Sequence, residues 1–145
     1  MSAAHSDSVA RVGTSIAAPR QRVWEALVAP DSLARFAPAT DVRADWRPGG
    51  ALSWRAPLEG RTYEVDGAVL RVDAPRLLEY EYTNPIIHAR HRIMIELTDD
   101  GAGTCITVSE DGHRKEVDLL HGVGAWRLVL ANLKYQLESP PTRVP

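Results

Sequence analysis

Residues 121–138 read HGVGAWRLVLANLKYQLE, and the spacing of the apolar residues in this stretch decides the fold. At 100° per residue, with Trp126 at zero, Val123, Val129, Leu130, Leu133 and Leu137 fall within about 60° of the tryptophan, as does Leu119 just upstream. His121, Arg127, Asn132, Lys134, Tyr135 and Glu138 lie outside that arc. This is one long amphipathic helix with a single apolar stripe, and such a stripe needs a curved sheet to lie across. Two glycines interrupt it, each costing about 1 kcal/mol against alanine in a helix interior. Gly122 falls near -40° on the wheel, inside the buried arc, and reads as making room for close backbone approach or for a ligand. Gly124 falls near 160°, on the outer side, so HGVG reads as a loose or bent lead-in to a helix that is regular from Trp126.

Upstream the period changes from helix to strand. ALSWR puts Leu52 and Trp54 on one face, RLLEYEYT puts Leu78, Tyr80 and Tyr82 on one face, and HRIMIEL puts His91, Ile93, Ile95 and Leu97 together. TCITVSE does the same for Thr104, Ile106 and Val108. Alternation of this kind is the pattern of half-buried antiparallel strands. The connectors RPGG (47–50), PLEG (57–60), DAP (73–75), TNP (83–85) and DDGAG (99–103) carry turn chemistry at the spacing of a meander.

The chain opens with a short strand, Val9 to Ala17, and Pro19 stands where a first helical position is expected. Val23, Trp24, Leu27 and Val28 then recur at helical spacing up to Pro30, and Asp31 is placed to cap a second short helix over SLARF. The expected order is strand, two short helices, a run of strands and one long helix. Residues 1–8 read as a flexible tail, 9–138 as a single domain and 139–145, with three prolines, as a second tail.

Composition narrows the function classes. A chain of 145 residues with 44% hydrophobic and 25% charged residues has the balance of a soluble domain with a real core. Its net charge of -2, with no block of lysines or arginines, argues against nucleic acid as partner. No run approaches the length of a membrane span and the first residues hold no apolar signal region, so the expected setting is cytoplasmic, without stable membrane insertion. Cys105 is the only cysteine, which rules out an internal disulfide and reads as a small buried side chain.

Four pieces, in order, resemble the START-like (SRPBCC) superfamily, in the branch named after activators of a heat-shock chaperone ATPase. They are TSIAAPRQRVWEAL followed by APDSLARFAP, then RPGGALSWR, GAVLRVDAPRLLEYEY and GAWRLVLANLKYQLE, spanning about residues 9–138. Phe36 departs from the tryptophan common in relatives, and the extra N-terminal domain of the chaperone co-activators is not in this sequence. The resemblance implies an α+β helix-grip fold, with a curved antiparallel sheet wrapped around the C-terminal helix and a pocket between them. It implies binding of a small hydrophobic molecule such as a lipid, a polyketide or an aromatic metabolite. Its alternatives are a cyclase- or hydrolase-like enzyme acting on such a ligand, and a chaperone-associated interaction module. As assembly state, monomer and homodimer are both open.

The residues themselves offer no familiar catalytic motif. HExxH, GxSxG, a P-loop and an EF-hand loop are all missing. His88 and His91 in HARH point to opposite faces if extended and so do not make a metal pair, and no metal or other cofactor is expected. Glu79 and Glu81 alternate against Leu78, Tyr80 and Tyr82, so they read as the solvent face if the tyrosines point inward. The aromatic set carries the functional expectation, because large rings with a polar handle suit a pocket for an apolar ligand and serve equally as plain core. The candidate ligand-binding residues are Trp54, Tyr63, Tyr80, Tyr82, His91, Ile93, Gly122, Trp126 and Leu130. His91 is included because a polar group on an apolar strand face needs a hydrogen-bond partner or a cavity.

Overall fold

The computed structural model describes residues 9–29, 40–58, 60–86, 88–112 and 116–139. Strand β1 (Ala10–Ile16) leads into helix α1 (Arg20–Val28). Six strands follow: β2 (Thr40–Ala44), β3 (Ala51–Leu58), β4 (Arg61–Asp73), β5 (Leu77–Thr83), β6 (Arg90–Asp100) and β7 (Gly103–Glu110). The chain then enters helix α2 (Glu116–Glu138). The expected second short helix over SLARF lies outside the described residues, as do the N-terminal tail and all but Ser139 of the C-terminal one.

The strands form one antiparallel sheet in the order β1-β7-β6-β5-β4-β3-β2. Strands β2 to β7 are a meander, and β1 returns to pair with β7 at the far edge. The register carries a continuous inward layer across the sheet. Val12 faces Val108, Val108 faces Ile95, Ile95 faces Leu78 and Leu78 faces Val72. A second layer runs through Glu110, Ile93, Tyr80 and Val69. The two-residue alternation seen in the sequence is therefore kept in phase from strand to strand, as burial of one face requires.

Two strands had no periodic signal in the sequence. β2 is a five-residue edge strand with no buried position. β4 holds Val65 and Val69 inside, but its register shifts between Val69 and Arg71, which breaks the alternation.

α2 lies across the inward face, and its wheel is reproduced over the described side chains, with Leu119 and His121 lying outside them. Leu130, Leu133 and Leu137 are buried, Val123, Trp126 and Val129 are half-buried, and Arg127, Asn132 and Tyr135 are exposed. The three leucines join Ile16, Leu97 and Ile106 in the core, each worth about 1.5–3 kcal/mol when removed from water. α2 runs without a break through Gly122 and Gly124, so the loose lead-in expected over HGVG is instead part of the helix. Its C-terminal end is tied to β1: Lys134 Nζ donates to the Ser15 carbonyl at 2.6 Å, and the Ala17 N–H donates to Glu138 Oε2 at 2.7 Å. α1 covers the same end with Val23, Trp24, Ala26 and Leu27 buried, and Pro19 caps it one position earlier than expected.

Candidate functional site

Between the sheet and α2 lies a cavity of about 250 Å³. The inward layers of β3, β5, β6 and β7 supply Leu52, Trp54, Ala56, Leu78, Tyr80, Tyr82, Ile95, Ile106, Val108 and Glu110. α2 supplies Ala125, Trp126, Val129, Leu130 and Leu133, with Leu27 and Trp46 completing the wall. Ala125 is exposed and yet borders the cavity, so the space reaches solvent beside it. Among the described residues that line it, Glu110 is the one with a charged side chain.

Glu110 is 6% exposed and is the hub of the polar end. The indole N–H of Trp126 donates to its Oε1 at 2.6 Å, and the Tyr82 hydroxyl donates to its Oε2 at 3.1 Å. His91 Nδ1 stands 3.5 Å from the same Oε2 and 2.9 Å from the Asp111 carbonyl oxygen. Because a carbonyl only accepts, that nitrogen carries the hydrogen. The His91 and Tyr82 rings stack with centroids 5.2 Å apart, while Trp54 meets Tyr82 edge-on at 5.5 Å. Trp46 meets Tyr80 edge-on at 6.0 Å, and its own N–H is held by the Val28 carbonyl at 3.0 Å.

This environment keeps both tyrosines protonated. Burial pushes the Tyr80 hydroxyl well above the ordinary phenol value, and the Glu110 charge adds to the effect. Tyr82 is pushed up by burial first, then by Glu110, by Tyr80 and by the hydrogen bond it donates to Glu110.

Five of the nine candidate residues border the cavity: Trp54, Tyr80, Tyr82, Trp126 and Leu130. The other four do not. Tyr63 pairs with Ala56, the last cavity residue on β3, and is carried past the wall towards the β3–β4 turn. Ile93 is fully buried in the packed core. His91 is buried on the same face but is shielded by the Tyr82 ring stacked on it. Gly122 is half-buried and is not part of the wall, to which the described residues of α2 contribute from Ala125 onward. Glu79 and Glu81 lie on the opposite face, where Arg71 at 3.4 Å and Arg90 at 3.9 Å attend them. His88 is exposed with φ 59°, well away from an extended conformation, and no group of three or more metal-ligating side chains occurs among the described residues.

Two important residues were not among the candidates. Glu110 was signalled by continuing the parity of Thr104, Ile106 and Val108 by one more step. Trp46 follows β2 in a non-repeating segment and had no such signal.

Comparison with known proteins agrees with the fold and places the chain in a family. Among curated proteins none matches. Among solved structures, ChR145 from Cytophaga hutchinsonii is 30% identical, with a TM-score of 0.78 over 90% of this chain and 93% of that one. The Aha1 dimer from Colwellia psychrerythraea has 17% identity and a TM-score of 0.74, over 90% of this chain and 96% of that one. DynU16, from the dynemicin biosynthetic locus, has 23% identity and a TM-score of 0.77, over 92% of this chain but 48% of that one. No helix among the described residues is long and apolar enough to cross a membrane. Residues 17–138 match the family described as Activator of Hsp90 ATPase homolog 1-like protein, and the chain belongs to that family.

Proposed function

We propose that this protein binds a small, mainly apolar molecule in the cavity between the sheet and α2. The observation that carries this reading is the cavity itself: about 250 Å³ in a wall of aliphatic and aromatic side chains. A core built only for stability closes such a space, because unfilled volume in an apolar interior forfeits packing contacts. The volume falls just below the roughly 300–1,000 Å³ of sites for drug-sized ligands, so the expected occupant has few ring systems. The occurrence of the same fold in DynU16, from a biosynthetic locus, is in keeping with a small-molecule role.

The test uses a neutral bicyclic aromatic, 1-naphthylmethanol. It is expected to raise the melting temperature and to give saturation-transfer NMR signals with the protein. Ala56→Phe, which projects a ring into the cavity from β3, is expected to abolish both effects while the protein stays folded. If the wild-type protein shows neither effect, the reading is wrong.

A further inference from the structure

We infer that the cavity recognises a carbonyl compound: the ligand presents the neutral oxygen of a ketone or ester to the Tyr80 hydroxyl and keeps the rest of its body against the apolar wall. This rests on the cavity being a ligand site, and it goes further by naming the group that orients the occupant.

Tyr80 borders the cavity from the middle of β5. Its partners across the sheet are Val69 on β4 and Ile93 on β6, both buried and aliphatic. Along β5 its neighbours on the same face are Leu78, which is apolar, and Tyr82, whose hydroxyl donates to Glu110. Trp46 meets its ring edge-on, and the Trp46 N–H donates to the Val28 carbonyl. The Tyr80 hydroxyl is consequently left without a hydrogen bond among the described residues.

Interior polar groups are nearly always paired, because one left alone keeps its full desolvation penalty. A hydroxyl that stands unpaired on a cavity wall is therefore satisfied by whatever enters the cavity. Burial, and after it the Glu110 charge, holds the Tyr80 hydroxyl well above the ordinary phenol range, so it keeps its hydrogen and serves as a donor. The indole N–H of Trp54, on the same wall, is a second donor with no acceptor among the described residues. The donors of Tyr82 and Trp126, by contrast, are both taken up by Glu110.

Uncommitted donors in an apolar wall call for an acceptor. A carbonyl oxygen offers two lone pairs and brings no hydrogen that needs a partner of its own. An alcohol fills the same place but adds a hydrogen that requires a further acceptor. A hydrocarbon displaces water from the hydroxyl and returns nothing to it. The Tyr80 ring is held by its contacts with Trp46 and the core, so its hydroxyl loses little freedom when the carbonyl arrives.

The experiment compares 1-acetylnaphthalene with 1-isopropenylnaphthalene, in which a methylene group stands where the ketone has its oxygen. The two share a shape and differ in acceptor capacity. Dissociation constants are measured by equilibrium dialysis for the wild-type protein and for Tyr80→Phe, which keeps the ring that Trp46 packs on. The variant is expected to bind the ketone about three- to tenfold more weakly, the range of one neutral hydrogen bond, and the alkene as tightly as before or slightly more so. The carbonyl stretching band of the bound ketone is expected to lie below its position in a hydrocarbon solvent, and to return towards it in Tyr80→Phe. If the variant fails to fold, the band in the wild-type protein decides alone. Binding of the alkene alone, an equal effect of Tyr80→Phe on both probes, or a carbonyl band that is unmoved or indifferent to the substitution overturns the inference and leaves the cavity reading standing. Absence of binding by both probes overturns both.

Discussion

A carboxylate that is 6% exposed is stable only while its oxygens keep hydrogen-bond donors, so the side chains around Glu110 are coupled in stability. Tyr82→Phe removes the donor at 3.1 Å from Oε2 and little else. It should cost about 1–3 kcal/mol in urea denaturation, since hydrogen bonds to charged groups lie at the upper end of the range. The same residue governs the alkaline limit. In the unfolded chain Tyr80 and Tyr82 ionise near 10.0, whereas in the folded protein both hold their protons beyond that value. Above pH 10 the native state therefore binds more protons than the unfolded one, so stability falls as pH rises from there and is unaffected well below it. Ultraviolet titration should find Tyr80 and Tyr82 silent until the protein unfolds, and one fewer silent tyrosine in Tyr82→Phe. An unchanged number of silent tyrosines in that variant would show that Tyr82 is not one of the protected pair. The centre of this group was legible in the sequence, because Glu110 continues the inward parity of β7. Trp126 was legible as the middle of the helix stripe. That the two would meet was not, since it depends on where α2 lands on the sheet.

At the scale of the element, α2 and β4 show why one segment is readable from its pattern and another is not. The stripe of α2 keeps its period from Val123 to Leu137, and the sheet buries it as the period requires. Lys134 and Glu138 fall outside the stripe and yet tie the helix to β1, because main-chain groups at the end of β1 offer polar partners that hydrophobic period does not register. Gly124 takes part in neither. A Cβ built there meets nothing within 4 Å. Gly124→Ala should thus stabilise the protein by about 0.4–1 kcal/mol, through lower entropy of the unfolded chain and better helix propensity. A melting temperature that falls instead would show that the helix needs its freedom at that point. Gly67 in β4 is the opposite case. A Cβ there would stand 2.2 Å from the Glu81 carbonyl oxygen and 3.2 Å from the Tyr82 Cβ. Gly67→Ala must spread β4 from β5 beside the cavity, at an expected cost of about 1–3 kcal/mol in thermal or urea unfolding. Close approach of this kind, with the register shift after Val69, is what hid β4 from a two-residue alternation.

At the scale of the molecule, one face of one sheet serves both as core and as cavity wall, and the two grade into each other along α2. The fold was legible because a single helical stripe and a run of alternating strands leave few ways to bury both. The cavity was expected only from the family resemblance and not from the residue pattern, because a void is the difference between the volume an architecture encloses and the volume its side chains fill, and no local pattern encodes that difference. Leu133 marks the boundary: it has no exposed surface, belongs to the core cluster and also borders the cavity. Leu133→Ala should cost about 2–5 kcal/mol, as truncation of a buried leucine does when the surroundings relax only in part. If the space it vacates joins the cavity, a ligand that binds only the folded state recovers some of that loss, by about 2.7 kcal/mol at a free concentration 100 times its dissociation constant. A neutral probe slightly larger than 1-naphthylmethanol should then raise the melting temperature of Leu133→Ala more than that of the wild-type protein. Should the variant lose stability while the larger probe gains nothing on it, the space at Leu133 is closed off from the cavity and the ligand is confined to the end beside Glu110.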